Sequence, residues 1–313
     1  MGWAALCSGG QRFEAMLTIF SVPKPFLGHI GIIQRNAIRS WTRLHSGHEI
    51  VLCGDETGVA EAATEFGATH MASVECNEYG TPLLNSVFAQ VQLLARHRLL
   101  CYVNADIILL SDFVEAVERI RLRRFLVVGQ RWDVDLTAPW DFKQSDWQQQ
   151  LRRYIAEHGV LHPPAGSDYF VFLRHHAIGE LPPFAVGRPG WDNWFIYKAR
   201  KLRIPVVDVT KVVTVIHQNH GYSHVPDQRG KVWVGPEADR NRELMGGRDY
   251  VFTPLDATHV MTSGTLLPAL GYKYLQRRWQ TLPILIPGTK QLVRLLNMML
   301  TPFRVLYRLV GSR

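Results

Sequence analysis

The chain has 313 residues, is 47% hydrophobic and 20% charged, and carries a formal net charge of +8. This composition is ordinary for a soluble globular protein with one large core or two small ones. The charge is uneven, because eight basic residues and no acidic residue follow position 256, so that residues 1–256 sum to zero. A neutral body without a basic, aromatic face argues against nucleic-acid binding.

Four cysteines, Cys7, Cys53, Cys76 and Cys101, form no C-x-x-C motif, and two of them lie in apolar, strand-like segments. This pattern predicts reduced, buried thiols and a cytoplasmic location. Residues 1–14 lack the basic and then apolar pattern of a secretory signal, and we interpret them as an N-terminal extension. No run of 18 apolar residues predicts a membrane-spanning helix.

Strands and helices are predicted to alternate along the first hundred residues. Strands are expected at residues 15–22, 49–53, 69–74 and 99–103, with helices over 28–44, 58–66 and 83–96 between them. Further elements are a helix at 112–121, a strand at 125–129, a helix at 146–157, a strand at 167–174, a helix at 192–201 and an extended segment at 206–217. The alternation predicts an α/β fold with a mostly parallel central sheet flanked by helices. Ligands of such sheets bind beyond the carboxyl ends of the strands.

Asn104-Ala105-Asp106 follows the fourth predicted strand directly and precedes another apolar run. Residues i and i+2 of an extended backbone share one face, so both polar side chains could reach the same ion. Mg²⁺ and Mn²⁺ prefer oxygen ligands and often share them with substrate phosphates. The segment therefore predicts a metal–diphosphate anchor, and the alternative is an ordinary strand-to-helix turn.

This order of elements, with Asn104-Ala105-Asp106 as a variant of the D-x-D motif, resembles the GT-A-fold glycosyltransferases, the nucleotide-diphospho-sugar transferases, over residues 15–225. The resemblance implies a Rossmann-like GT-A domain at residues 15–262. It further implies that Asp106, with Asn104, holds Mn²⁺ or Mg²⁺ at the diphosphate of a sugar nucleotide. The remaining donor contacts implied by the resemblance are Ser21, Pro23, Asp55, Asn85 and Asn104. Asp55 could instead stabilise the turn in which it lies, and Asn85 could lie on a helix surface.

Two carboxylates are candidates for the catalytic base. Asp192 lies where inverting members of the family carry the acidic residue that deprotonates the acceptor hydroxyl, a role that suits a positioned carboxylate. Its alternative role is to cap the helix that it begins. Asp168 is the competing carboxylate, and it could also bind the acceptor or the donor sugar.

Three histidines lie at the end of the predicted extended segment and just after it, at positions 217, 220 and 224. The resemblance implies His217 as a further metal ligand, because many GT-A enzymes place one histidine after a late strand. His220 and His224 would then order the loop or contact phosphate. The alternatives are a zinc site made by all three and a structural, hydrogen-bonded His217.

Residues 263–313 are predicted to form a basic, amphipathic helical tail. From Lys290 onward the polar residues are spaced by three or four, with leucine, methionine, valine and phenylalanine over the other faces. This pattern is typical of a helix that lies on an anionic membrane surface. The alternative is a helix docked on the protein itself or on a second subunit.

The sequence thus predicts a metal-dependent glycosyltransferase that moves a sugar from a nucleotide diphosphate to a hydroxyl of a glycan or a lipid-linked acceptor. The protein would be cytoplasmic and peripheral to the membrane. One alternative is a catalytically inactive glycan- or lipid-binding scaffold, suggested by Asn104 at the first motif position. The other is a sugar-nucleotide nucleotidyltransferase, which usually has a glycine-rich, basic loop where this chain has Ser21-Val-Pro-Lys-Pro25.

Overall fold

The structure is a computed structural model, and it describes residues 15–221 and 232–298. The predicted N-terminal extension, His224 and the end of the tail lie outside the described residues. The strands are β1 Leu17–Ser21, β2 Glu49–Cys53, β3 Thr69–Met71, β4 Leu99–Val103, β5 Ile107–Ile108, β6 Leu126–Val128, β7 Trp132–Val134, β8 Val160–Leu161, β9 Tyr169–Leu173, β10 Val206–Asp208, β11 Ile216–Gln218, β12 His259–Met261 and β13 Leu266–Pro268. The α-helices are α1 Gly28–Thr42, α2 Val59–Phe66, α3 Leu84–Leu94, α4 Ser111–Glu118, α5 Trp147–His158, α6 Trp191–Lys201, α7 Pro236–Met245 and α8 Tyr272–Leu285, and residues 290–298 are also helical.

The larger sheet has the strand order β13-β12-β10-β6-β9-β4-β1-β2-β3. Strands β3, β2, β1 and β4 are parallel to one another, as are β6, β10 and β12. Strand β9 runs antiparallel between β4 and β6, and β13 is antiparallel at one edge. The prediction of an α/β fold with a mostly parallel central sheet flanked by helices is confirmed.

Both faces of this sheet are buried, which explains why its strands are continuous apolar runs. Alternate residues of β1 point to opposite faces: Ile19 belongs to one core cluster and Phe20 to the other. The first cluster includes Trp41 of α1, and the second includes Phe88 of α3. Apolar side chains pack on both faces of the sheet. The polar side chains that follow the strands therefore lie at the carboxyl edge of the sheet.

A second, small sheet has the order β5-β11-β7-β8, with β11 between β5 and β7. The prediction of one extended segment over residues 206–217 is wrong, since β10 and β11 lie in different sheets. The carboxylate of Asp208 accepts hydrogen bonds from the backbone N–H of Thr210 at 2.9 Å and from its hydroxyl at 2.6 Å. This local turn ends β10 and redirects the chain toward the small sheet.

The large sheet continues past residue 262, because β13 pairs with β12. Helix α8 is held against the domain, with the hydroxyl of Tyr274 donating to Asp208 at 2.7 Å and Arg277 pairing with Asp256 at 2.7 Å. We therefore propose that the sheet domain ends at Pro268, beyond the predicted boundary at residue 262, and that α8 is the first helix of the tail and is docked on the domain. None of the described helices has the length and apolar character needed to cross a membrane.

Candidate active site

Asp106 lies just beyond the carboxyl end of β4, and buried polar side chains fix its backbone. Gln218, fully buried on β11, donates from Nε2 to the carbonyl oxygen of Asp106 at 3.0 Å and to that of Ile33 at 2.8 Å. The amide oxygen of Gln218 in turn accepts from Asn36 at 2.9 Å. A rigid support of this kind allows the Asp106 side chain to keep one direction.

Two imidazoles meet the Asp106 carboxylate. Its Oδ2 lies 2.9 Å from Nε2 of His220 and 4.0 Å from Nε2 of His217. One candidate ligand atom from each of the three side chains lies within 4.8 Å of the others. The structure therefore brings Asp106 and His217 together, as expected for two ligands of one ion. It also places His220, for which the sequence favoured another role, closer to Asp106 than His217 is.

The small sheet explains this meeting. Antiparallel pairing of β11 with β5 places His217 opposite Ile107, the residue after Asp106. Parallel pairing of β11 with β7 places His217 opposite Asp133. Residues far apart in the sequence are therefore brought together by strand register.

The charge of Asp106 is stabilised by its neighbours. Burial favours the neutral carboxyl, but the hydrogen bond from His220 and the charges of His217 and Lys24 outweigh it, so the pKa of Asp106 lies below its ordinary value. Burial also favours the neutral form of His217, which for an imidazole means a lower pKa. Contact with Asp133 and the charge of Asp106 outweigh that effect and raise the pKa of His217.

The donor set fits a divalent cation. Nδ1 of His217 lies 3.1 Å from Oδ1 of Asp133, and Nδ1 of His220 lies 2.9 Å from the carbonyl oxygen of Gly221. Protons on these two nitrogens would leave both Nε2 lone pairs facing Asp106, which is the usual arrangement of metal-ligating histidines. Within the part of the chain that the structure describes, Oδ1 of Asp106 is buried and has no hydrogen-bond partner. Two imidazoles beside one carboxylate favour a transition-metal ion over Mg²⁺.

Asn104 is not part of this cluster. Strand β9 runs antiparallel to β4 with Tyr169 opposite Val103, so the next pair along is Asn104 and Asp168. The backbone N–H of Asn104 donates to the carbonyl of Asp168 at 2.9 Å, and Nδ2 donates to its Oδ1 at 2.7 Å. The amide is thus directed at Asp168.

Arg131 joins the two halves of the site, and the sequence did not single it out as a site residue. Its guanidinium pairs with Oδ2 of Asp168 and, at 2.8 Å, with Oδ1 of Asp133. His162 contacts the other oxygen of Asp133 at 2.7 Å. The burial of Arg131 favours loss of its charge, but the two carboxylates outweigh this effect and raise its pKa. One cation therefore orients the carboxylate beside Asn104 and the carboxylate beside His217.

Replacing Arg131 by Met is expected to lower the free energy of unfolding by about 3 kcal/mol, because it leaves two partly buried carboxylates without their cation. Urea unfolding measures this change. The matched control is Arg35→Met, which breaks a more exposed pair with Glu65 and should lower stability by less than about 0.5 kcal/mol. Equal losses in the two variants would contradict a central role for Arg131.

Asp192 is the second residue of helix α6, so it does not cap the helix; the N-cap is Gly190, whose φ of 101° only glycine adopts without strain. Its Oδ2 accepts the backbone N–H of Ser167 at 3.3 Å, next to Asp168. Burial raises the pKa of Asp192 to about 6, and the charge of Asp168 adds to this, against backbone hydrogen bonds from Asn193 and Ser167. A carboxylate with this pKa can accept a proton near neutral pH.

The remaining predicted donor contacts lie at the ends of neighbouring elements. Ser21 ends β1, Asp55 follows β2 and is exposed, and Asn85 lies in the first turn of α3. Among the described residues, the hydroxyl of Ser21 and the amide oxygen of Asn85 are buried without a hydrogen-bond partner. Pro23 is buried in the turn after β1.

Fold and site together define an α/β protein with a carboxylate–histidine centre at the carboxyl ends of its parallel strands. Glucosyl-3-phosphoglycerate synthase from Mycobacterium tuberculosis, in complex with Mg²⁺ and UDP, is 11% identical with a TM-score of 0.44, covering 75% of this chain and 81% of that chain. GalNAc-T7, with UDP, GalNAc and Mn²⁺, is 14% identical with a TM-score of 0.45 and coverage of 74% and 48%. The mannosyltransferase PcManGT from Pyrobaculum calidifontis, with GDP-Man and Mn²⁺, is 12% identical with a TM-score of 0.40 and coverage of 74% and 63%.

No protein-family model and no curated protein matches the chain. Structural likeness of the degree found here does not decide the chemistry.

Proposed function

We propose that the protein is a metal-dependent glycosyltransferase that transfers a sugar from a nucleotide-diphosphate sugar to a hydroxyl of a glycan or lipid-linked acceptor. The observation that carries this proposal is the meeting of Asp106, His217 and His220 beyond β4, with Nδ1 of His220 at the carbonyl of Gly221 and Nδ1 of His217 3.1 Å from Asp133. Crevices at this edge of an open parallel sheet are where such folds bind nucleotides.

In this proposal Asp106 and His217, joined by His220, hold Mn²⁺ or Mg²⁺. The bound ion supplies charge stabilisation for the diphosphate that leaves the sugar. The unpartnered polar atoms of Ser21 and Asn85 are available to the donor, as is the exposed carboxylate of Asp55. Pro23 and Asn104 complete the proposed donor contacts.

Asp192 is the proposed base, and the transfer would then invert the anomeric centre. Its raised pKa suits proton abstraction from a sugar hydroxyl near neutral pH. Asp168 is less suited, since Asn104 and Arg131 each occupy one of its oxygens. We assign Asp168 a positioning role between the motif and Arg131.

The experiment that tests the function is a thermal-shift panel of UDP, GDP, CDP and dTDP sugars, each with Mn²⁺ and with EDTA. A ligand that binds the native state raises Tm. We expect a metal-dependent rise with one nucleotide. A rise that is independent of metal would favour the inactive scaffold, and no rise with any sugar nucleotide would overturn the proposal.

We further propose that the tail contacts an anionic membrane. Half of the exposed large apolar side chains of the described residues lie between residues 267 and 298: Leu267, Leu270, Tyr272, Leu275, Ile286, Leu292, Leu295 and Met298. Lys273, Lys290 and Arg294 are exposed in the same region, and the sequence has no acidic residue after position 256. Apolar side chains interleaved with cations suit an interface with anionic lipid.

Sedimentation with lipid vesicles tests this contact. The protein should pellet with vesicles that contain phosphatidylglycerol and less with phosphatidylcholine alone. Leu292→Glu with Leu295→Glu should abolish pelleting, whereas Leu93→Glu, an exposed leucine on α3, should leave it unchanged. Equal pelleting by all variants would exclude the tail as the contact.

A further inference from the structure

The ammonium group of Lys24 lies next to the candidate metal centre. Its Nζ lies 3.2 Å from Nε2 of His220 and 4.0 Å from Oδ2 of Asp106. The Lys24 side chain is 30% exposed, whereas that of Asp106 is 12% exposed. Neither the order of elements nor the variant motif predicted a lysine here.

The backbone of Lys24 is fixed although its side chain is long. Its N–H donates to Oε1 of Gln34 at 2.7 Å, and its carbonyl accepts from Nε2 of the same residue at 2.8 Å. Gln34 is 99% buried on α1, and Pro23 and Pro25 restrict the chain on either side. The Cα is thereby held in place, while the four-carbon stem leaves the ammonium able to move between nearby anions.

Lys24 and Asp106 both lie beside Nε2 of His220. Nζ of Lys24 is 3.2 Å from this nitrogen, and Oδ2 of Asp106 is 2.9 Å from it. A divalent cation bound to Asp106 and to Nε2 of His220 would therefore lie against Nζ of Lys24. Because two cations at this distance repel each other, the lysine side chain must move away when the metal ion binds.

We propose that Lys24 competes with the divalent cation for Asp106 and His220, and that it moves to the donor diphosphate when the cation binds. This inference rests on the proposed function and adds a residue that couples the two ligands. A cation alone must displace the ammonium, whereas a diphosphate offers the ammonium a new partner. Metal and diphosphate then favour each other's binding, and the coupling is reciprocal.

Two binary calorimetric titrations test the proposal, one with Mn²⁺ alone and one with inorganic diphosphate in EDTA. Lys24→Met should bind Mn²⁺ about tenfold more tightly and diphosphate about tenfold more weakly, since one cation is lost from the site. Lys24→Arg should retain diphosphate binding. Lys211→Met, an exposed lysine after β10, should change neither affinity.

Opposite shifts in the two affinities support the proposal, because a lysine that merely packs would not strengthen metal binding. If the wild type binds both ligands but Lys24→Met weakens Mn²⁺ binding or leaves either affinity unchanged, the role of Lys24 is wrong and the proposed function stands. If the wild type binds neither ligand, both are wrong.

Discussion

Replacing Asp106 by Asn is expected to abolish metal-dependent binding of the donor and to lower kcat/KM by more than about 100-fold. Loss of a group that only orients a metal ligand typically costs 10- to 100-fold, and the direct carboxylate ligand should cost at least as much. Asn keeps the shape of Asp106 and the backbone hydrogen bonds from Gln218, so the fold should be retained. Calorimetry with Mn²⁺ and turnover with the sugar nucleotide selected by the thermal-shift panel measure the effect.

The matched control for this variant is Asp141→Asn, which neutralises an exposed carboxylate. It should leave both measurements unchanged. His220→Gln should weaken Mn²⁺ binding as well, because Nε2 of His220 lies 2.9 Å from Asp106. An Asp106→Asn protein that binds Mn²⁺ and turns over normally would remove the basis of the proposed site.

Asp192→Asn should lower kcat by about 1000-fold, within the range typical of a lost general base. Mn²⁺ and donor binding should persist, since Asp192 contacts the backbone of Ser167 and lies outside the metal cluster. The two variants therefore separate binding from chemistry. Calorimetry and turnover on the same preparations make the comparison.

The pH profile of the wild type gives an independent check on Asp192. A base acts only when deprotonated, and burial raises the pKa of Asp192 to about 6. Activity should therefore be full above that pH and fall about tenfold per pH unit below it. The residual activity of Asp192→Asn should lack this decline. An Asp192→Asn enzyme with the wild-type profile would point to another base.

Much of the fold could be predicted, because periodicity marks most strands and helices directly. Asp106 could be placed at the carboxyl edge of the sheet because it closely follows a predicted strand, and the carboxyl ends of parallel strands converge there. His217 was expected from the resemblance alone, and the small sheet brings it to Asp106. Their partners could not be predicted, because they depend on register between strands that are distant in sequence. Whether Asn104 faces an ion or Asp168 is decided by the antiparallel pairing of β4 with β9.

Arg131 and His220 show the same limit. Arg131 stands before a short strand with no local signal, and its two carboxylates come from different parts of the chain. His220 lies two residues past β11, where spacing alone cannot say which of several histidines turns inward. The predicted extended segment at residues 206–217 shows a different error. Its composition favours one continuous strand, whereas the turn made by the Asp208 side chain ends β10.

The insertion of β11 between β5 and β7 also has a consequence for the order in which the site assembles. His220 is 114 residues from Asp106, so the metal centre can close only after the whole segment between them has been synthesised. Until then the nascent chain can form β1, β2 and β4 but has neither imidazole beside the carboxylate. Contacts between such distant residues form slowly. Tight Mn²⁺ capture would consequently mark a chain that has finished folding, and a ribosome-bound fragment ending before β11 should show none.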